Sequence, residues 1–179
     1  MTAEEALRIL SEADMIYSAE QMERAVARLA DQITTRLQAA HPLVLTVMTG
    51  AVVFAGQLLP RLRFPLDCDY LHVTRYGNLT SGGDLAWLME PRTPVSGRTV
   101  LVLDDILDEG VTLAAIKARL LQQGAAACFV AVLAEKELGK AKPIAADFSG
   151  VKVPDRYVFG CGMDVKGAWR NLPAIYAMK

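Results

Sequence analysis

The chain has 179 residues, of which 53% are hydrophobic and 22% charged, and its formal net charge is −1 at pH 7. This composition is globular and excludes a disordered or fibrous protein, and the length predicts one domain over residues 1–179. Because a charge this close to zero supplies no broad positive field for a polyanion, we expect no nucleic-acid partner.

The apolar segments of the chain are too charged or too short for export or membrane insertion. Residues 2–10 place charged side chains among apolar ones, unlike a signal peptide. The longest uncharged apolar stretch, residues 125–134, has half of the about 20 residues that a membrane-spanning helix needs. We therefore expect a soluble cytoplasmic protein with no membrane partner. Its three cysteines form no metal-site pattern, which predicts reduced thiols inside the protein.

Strands and helices are predicted to alternate after a long first helix. Ser18 and Gln21 form a capping box, and apolar residues then recur at helical spacing until Pro42. Further helices are predicted up to about residue 62 and over 112–123. Short apolar runs predict strands at 43–48, 66–74, 85–89, 99–103, 128–134, 157–159 and 175–177. This order predicts an α/β fold with an open, mostly parallel sheet and helices on both faces.

The strand at 99–103 is predicted to run directly into an acidic turn. Residues 100–113 read VLVLDDILDEGVTL, and neither GxxxxGK[ST] nor GxGxxG occurs in the chain. Strand-to-helix turns of open sheets bind ligands, because backbone N–H groups and the helix dipole favour an anion there. Three carboxylates beside an anion repel it, unless they bind sugar hydroxyls, a divalent cation or a proton donor on a second substrate. A segment of this kind, taken alone, is more often a solvated turn.

Over its whole length the segment resembles the phosphoribosyl-diphosphate signature of type I phosphoribosyltransferases. Its third acid, Asp108, is similar to that of the purine-salvage hypoxanthine-guanine phosphoribosyltransferases. The resemblance implies the type I fold, with a small hood from terminal segments beside the sheet. It implies conversion of hypoxanthine or guanine and phosphoribosyl diphosphate to the nucleoside 5′-monophosphate and pyrophosphate. It also implies Mg²⁺ as cofactor and a homodimer or homotetramer.

The resemblance implies a role for each matching residue. Asp108 is the expected catalytic base, which accepts the proton leaving N7 of the purine. The expected purine-binding residues are Lys136 on the 6-oxo group, Tyr157 stacked on the base, and Val158. The expected magnesium ligands are Asp104, Asp105 and Asp164. The residues expected to bind phosphoribosyl diphosphate are Thr49, Gly50, Arg75, Tyr76, Asp104, Asp105, Glu109, Gly110, Val111, Thr112 and Arg170.

Four of these positions depart from the family pattern. Thr49 stands where a basic residue is usual, and Arg75, which begins the expected mobile catalytic loop with Tyr76, stands where serine is usual. We interpret these two departures as one exchange: the positive charge missing at Thr49, in a fixed loop, is supplied by Arg75, in the mobile loop. Glu109 replaces a small hydroxyl residue and Val111 a charged or polar one, so the Glu109 side chain must point away from a phosphate bound to the backbone of this loop.

Two alternatives remain open at this point. Pyrimidine-operon attenuators carry a similar signature but bind RNA as regulators, and Asp108 and the mildly acidic composition argue against that class. The other alternative is a transferase that prefers xanthine or another purine. The sequence does not separate these bases, because the preference depends on backbone groups around the 2-position of the purine.

Overall fold

The computed structural model describes residues 1–75 and 85–179. Tyr76 and the predicted loop at 77–84 lie outside the described residues. The elements, in chain order, are α1 (Ala3–Glu12), β1 (Asp14–Tyr17), α2 (Ala19–Leu37), β2 (Leu43–Met48), α3 (Val52–Leu58) with a following 3-10 turn (Leu59–Arg61), β3 (Asp67–Arg75), β4 (Leu85–Met89), β5 (Thr99–Leu107), α4 (Val111–Gln122), β6 (Ala127–Glu137), β7 (Phe148–Pro154), β8 (Val158–Phe159) and β9 (Ile175–Ala177).

The larger sheet has the strand order β4-β3-β2-β5-β6-β7. Strand β2 pairs in parallel with both β3 and β5, and β6 pairs in parallel with both β5 and β7. The edge strand β4 is antiparallel to β3. The mostly parallel sheet is thus confirmed, and the carboxyl ends of β2, β5 and β6 meet at one edge, where parallel α/β sheets bind their ligands.

Helices cover both faces of this sheet, as predicted. Leu101 and Leu103 of β5 pack in one apolar cluster with residues of α2 and α3. Val100 and Val102 of the same strand pack in a second cluster with residues of α4. Successive side chains of a strand point to opposite faces, so a continuous apolar strand buries both of its faces.

Helix α2 forms where the capping box predicts it. The Ser18 hydroxyl accepts a hydrogen bond from the Gln21 N–H, and the Gln21 side chain accepts one from the Ser18 N–H. The two bonds satisfy N–H groups that the first turn of a helix leaves without partners. The buried residues of α2 recur at helical spacing and face the sheet: Met22, Ala25, Val26, Leu29, Ala30, Ile33 and Leu37.

The terminal segments form a smaller sheet, β1-β9-β8, which confirms the predicted hood. The Tyr17 hydroxyl of β1 donates to the Lys152 carbonyl of β7 at 2.7 Å, which joins the hood to the larger sheet. Arg156 donates to the Asp14 carboxylate and to the Met178 carbonyl, both at 2.7 Å. The N-terminal and C-terminal segments are therefore held together beside the carboxyl edge of the sheet.

The predicted end of the signature strand was wrong. Strand β5 continues through Asp104 and Asp105 to Leu107, because β6 lies beside it and pairs with it over that length. Only residues 108–110 form the turn before α4. Elements α1, β1 and β7 were not predicted, since each is short or carries few buried apolar side chains in a regular pattern.

The cysteine prediction was correct at two of three positions. Cys128 and Cys161 are buried free thiols, whereas Cys68 is exposed near the start of β3. Over residues 1–75 and 85–179, no helix has the length and apolar character needed to cross a bilayer.

We expect two glycine substitutions to change stability in opposite directions. A Cβ atom at Gly150 of β7 would overlap the Leu133 carbonyl oxygen, whereas nothing lies within 4 Å of a Cβ at Gly56 of α3. Gly150→Ala should lower the free energy of unfolding by about 1–3 kcal/mol through overpacking. Gly56→Ala should raise it by about 0.5–1 kcal/mol, because alanine is the better helix former. Urea denaturation measures both, and shifts of the same sign would contradict this reading of the packing.

Candidate active site

A cavity of about 210 Å³ opens at the carboxyl edge of the sheet. Its walls come from β5, the end of β6, β8 and the loop that follows β8. The lining residues are Asp105, Ile106, Asp108, Lys136, Tyr157, Val158, Met163 and Asp164. The structure thus brings together predicted site residues that are far apart in the chain. Ile106 and Met163 were not predicted, because an isolated apolar residue carries no sequence signal that distinguishes a cavity wall from the core.

The Lys136 ammonium and the Asp108 carboxylate form an ion pair in this cavity. Lys136 Nζ donates to Asp108 Oδ2 at 2.8 Å. The Lys136 side chain is 12% exposed and that of Asp108 is 47% exposed. Because Leu107 pairs with Glu135 at the end of the β5–β6 ladder, Asp108 in the following turn stands beside Lys136 of β6. A charged donor and a carboxylate acceptor are therefore presented side by side to the cavity.

An aromatic ring stands beside this pair. Tyr157 is 54% exposed, and its hydroxyl donates to the Asp164 carbonyl at 3.2 Å. Partial burial and then the nearby Asp164 carboxylate raise the pKa of Tyr157, so the hydroxyl stays protonated as a donor. Val158 follows in β8 and is buried. An exposed ring whose hydroxyl is held in place offers a flat surface on which a planar ligand can stack.

Asp104 and Asp105 are adjacent carboxylates at the end of the sheet. Burial raises the pKa of Asp104 well above its usual range, and the neighbouring Asp105 carboxylate raises it further. Burial also raises the pKa of Asp105, although the Ile106 N–H and the Arg170 guanidinium oppose this. Two carboxylates that share a buried site repel each other, and a bound cation relieves that repulsion.

Two glycines allow close approach where the loop after β2 meets Asp105. A Cβ atom at Gly50 would overlap the Asp105 carboxylate, and a Cβ at Gly162 would overlap the Gly50 carbonyl. Thr49 precedes Gly50 and is exposed, and the peptide bond between Met48 and Thr49 is cis. The close approach places the predicted pyrophosphate loop against the acidic strand. Arg75 is the last residue of the neighbouring strand β3, and Tyr76 lies outside the part of the chain that the structure describes.

Asp164 and Arg170 are joined within the loop that follows β8. Arg170 Nη2 contacts Asp164 Oδ1 at 2.6 Å, and Arg170 Nη1 donates to the Gly162 carbonyl at 2.7 Å. The other oxygen of Asp164 accepts from the Gly167 N–H at 2.7 Å. Both side chains are thus held in one compact loop, with Asp164 on the cavity wall and Arg170 close enough to act on Asp105.

The turn before α4 has the backbone of an anion site. Gly110 has φ +83°, a left-handed conformation that favours glycine, and it precedes the first residue of α4, Val111. The Glu109 carboxylate pairs with Lys140 Nζ at 3.2 Å, which offsets the acidic charge that this turn carries. Val111 is half exposed and Thr112 is partly buried in the first helical turn. The positive end of the helix dipole favours a phosphate at this position.

The residues present fit a divalent cation that is only partly held by the protein. Among the described residues, no group of three or more His, Cys, Asp or Glu side chains is arranged to enclose a metal ion. Asp104 and Asp105 nevertheless offer adjacent, partly buried carboxylates. Mg²⁺ is often bound by one or two carboxylates together with oxygens of a phosphate substrate, so this donor set suits it.

Comparison with known proteins agrees with this arrangement. A family model described as a phosphoribosyl transferase domain matches residues 12–166. The hypoxanthine-guanine phosphoribosyltransferase of Bacillus subtilis (strain 168) is 33% identical over 92% of this chain and 92% of its own. The hypoxanthine-guanine-xanthine phosphoribosyltransferase of Tritrichomonas foetus is also 33% identical, over 92% of this chain and 91% of its own.

Solved structures extend the agreement to the fold. A hypoxanthine-guanine-xanthine phosphoribosyltransferase structure superposes with a TM-score of 0.83 at 30% identity, covering 94% of this chain and 96% of the other. A hypoxanthine phosphoribosyltransferase from Staphylococcus aureus has a TM-score of 0.90 at 25% identity, covering 96% and 95%. With a family model matched over residues 12–166 and relatives 33% identical over 92% of its length, this chain belongs to the phosphoribosyltransferase family, in the hypoxanthine-guanine branch that serves purine salvage.

Proposed function

We propose that the protein transfers the phosphoribosyl group of phosphoribosyl diphosphate to hypoxanthine or guanine. The observation that carries this proposal is the 2.8 Å contact between Lys136 and Asp108 on the wall of the cavity. A 6-oxopurine presents an acceptor, O6, beside a donor, N7–H, along one edge. Lys136 donates to O6 while Asp108 accepts from N7–H, and Tyr157 and Val158 hold the plane of the base.

The reaction joins a purine nitrogen to C1 of the ribose as the bond from C1 to pyrophosphate breaks. The bonding electron pair leaves with pyrophosphate, and the transition state has oxocarbenium character. Asp108 accepts the N7 proton as the base attacks, so no positive charge builds up on the purine. The protein therefore has to align the base behind C1 and to stabilise the departing charge, and Arg170 is placed for the second task.

The family uses a divalent cation, and we propose Mg²⁺ for this chain. Asp104, Asp105 and Asp164 would hold it, and Asp104 and Asp105 would also contact the ribose hydroxyls. When bound, Mg²⁺ offsets the negative charge of the pyrophosphate group. Because the Asp164 carboxylate is paired with Arg170, it can bind the cation only if that ion pair opens or if the carboxylate contacts both groups.

The remaining predicted residues would bind the phosphates. Residues 109–112 would hold the 5′-phosphate through the backbone at the start of α4, with the Glu109 carboxylate kept on Lys140. Thr49 and Gly50 would hold the pyrophosphate group, with Arg75 and Tyr76 covering the site. Closure of a loop over the site would exclude water, which would otherwise hydrolyse the substrate at C1.

A preference for xanthine is the second candidate. It is favoured by one relative, the Tritrichomonas foetus protein, whose name includes xanthine and which is 33% identical to this chain. The RNA-binding alternative has no such support, and the net charge of −1 argues against a polyanion partner. Assembly as a homodimer or homotetramer stays a prediction that rests on the family.

Base preference tests the proposed function. In the presence of Mg²⁺ and phosphoribosyl diphosphate, hypoxanthine or guanine should be converted to its monophosphate, while adenine should be a poor substrate. The 6-amino group of adenine cannot accept from the Lys136 ammonium, so adenine lacks the charge-assisted hydrogen bond that O6 would make, which contributes about 1.5–3 kcal/mol. Initial rates with each base, including xanthine, measure this preference. Equal turnover of adenine and hypoxanthine would contradict the role of Lys136.

Asp108→Asn tests the catalytic base. The amide oxygen can still accept the hydrogen bond from Lys136, but the side chain can no longer take a proton. We expect kcat to fall by about 10²- to 10⁴-fold, the usual contribution of a general base, with little change in KM for phosphoribosyl diphosphate. Asp31→Asn, at an exposed position of α2, is the matched control and should leave both constants unchanged. An unaltered kcat with a raised KM would make Asp108 a ligand for ribose or metal.

The proposed exchange of charge between Thr49 and Arg75 has its own test. The two residues stand at the carboxyl ends of β2 and β3, which are neighbouring parallel strands. If Arg75 donates to the departing pyrophosphate, that charge-assisted bond contributes about 1.5–3 kcal/mol, so Arg75→Ala should lower kcat/KM by about 10- to 150-fold. Thr49→Lys should recover activity in the Arg75→Ala background and add little to the wild type. Strictly additive effects would exclude the exchange.

A further inference from the structure

Three lysines bind three successive residues at the end of β5. Lys142 Nζ donates to the Leu107 carbonyl at 3.0 Å, Lys136 Nζ to the Asp108 carboxylate at 2.8 Å, and Lys140 Nζ to the Glu109 carboxylate at 3.2 Å. Lys140 and Lys142 lie between β6 and β7, in a segment to which the sequence assigned no role. The Lys142 ammonium donates to a backbone carbonyl, whereas the Lys136 and Lys140 ammonium groups donate to carboxylates.

Lys142 also binds the second of the two strands. Its Nζ donates to the Lys136 carbonyl at 2.5 Å, and Glu135 Oε1 lies 3.8 Å away. Its side chain is only 11% exposed, and a buried ammonium is tolerated when its protons are given to acceptors. One of its two carbonyl acceptors directly precedes Asp108, and the other belongs to Lys136 itself. The ammonium therefore links the two backbones that carry the ion pair.

This link stands where the β5–β6 ladder ends. The last residues that the ladder pairs are Leu107 and Glu135, so its hydrogen bonds do not include Asp108 and Lys136. We propose that Lys142 is a positioning residue that sets the separation of Asp108 and Lys136 and thereby lets them engage N7 and O6 of one purine together. This inference rests on the proposed function and adds to it a residue that does not touch the substrate.

The consequence of losing the link is a loss of alignment rather than of a chemical group. Asp108 and Lys136 would remain present, but the Leu107 carbonyl that precedes Asp108 would lose its tether to the Lys136 carbonyl. A misplacement of about 1 Å can cost about 10²-fold in rate. Bases that use both residues should suffer most, whereas adenine, which cannot accept from the Lys136 ammonium, should suffer less.

Lys142→Met tests this role, because it keeps the length and apolar stem of the side chain and removes the donors. We expect kcat for hypoxanthine to fall by about 10- to 100-fold with little change in KM for phosphoribosyl diphosphate. The ratio of hypoxanthine to adenine turnover should fall with it. Lys142→Arg, which keeps a charged donor, should recover part of both quantities. A mere loss of folded protein would lower both turnover rates by the same factor and leave the ratio unchanged.

Lys152→Met is the matched control. Lys152 Nζ pairs with the same Glu135 at 2.6 Å, and its side chain is 54% exposed on β7. The control therefore removes an equal charge and a contact to the same carboxylate without cutting the link between β5 and β6. It should leave kcat and the base ratio unchanged. An equal effect of Lys152→Met and Lys142→Met would overturn the inference.

Other outcomes separate a failure of this inference from a failure of the proposed function. If the wild type converts hypoxanthine and Lys142→Met keeps its kcat and base ratio, the inference is wrong while the proposed function stands. If the wild type converts no 6-oxopurine, the proposed function fails and the inference fails with it. Should Lys142→Met not fold, Lys142→Gln provides the same comparison with a neutral donor. Failure of both variants to fold would assign Lys142 to stability alone and overturn its role in positioning.

Discussion

The parallel pairing of β5 with β6 is the constraint on which the site depends. It places Lys136 of β6 beside the turn that follows β5, where the Asp108 carboxylate and the Lys136 ammonium lie 2.8 Å apart. Apolar residues on both faces of these strands fix their register by packing under α2, α3 and α4. The position of the ion pair therefore depends on the core beneath it.

Acidic side chains cluster at the carboxyl edge of the sheet, where glycines allow the neighbouring loops to approach them closely. The Asp105 carboxylate lies against Gly50, and the Gly50 carbonyl lies so close to Gly162 that a side chain at position 162 would overlap it. Arg170, in the loop after β8, partly offsets the charge of the Asp105 carboxylate. The pKa values of Asp104 and Asp105 are raised, so a nearby cation would favour the ionised form of these carboxylates. Both the close approach of Gly50 and the opposing charge of Arg170 therefore act on Asp105.

Local sequence patterns predicted the elements whose signals are contiguous. The capping box at Ser18 and the helical spacing after it match α2, and short apolar runs match β2 and β6. Helix α1 was missed because it buries only Ala6, and it is held from outside by a hydrogen bond from the Trp169 indole to the Ala6 carbonyl at 2.8 Å. Strand β7 was missed because its apolar pattern is interrupted and its position comes from pairing with β6.

The sequence by itself determined the fold class, the family and the kinds of side chain at the site, because periodicity and the signature strand are properties of adjacent residues. Only the tertiary structure decided which of those residues meet. Asp108 and Lys136 are 28 positions apart, and Lys142 is 35 positions from Leu107, so their contacts depend on strand order and register. The same reason explains the end of β5: two acids look like a turn in the sequence, but a neighbouring strand supplies the hydrogen bonds that keep them extended.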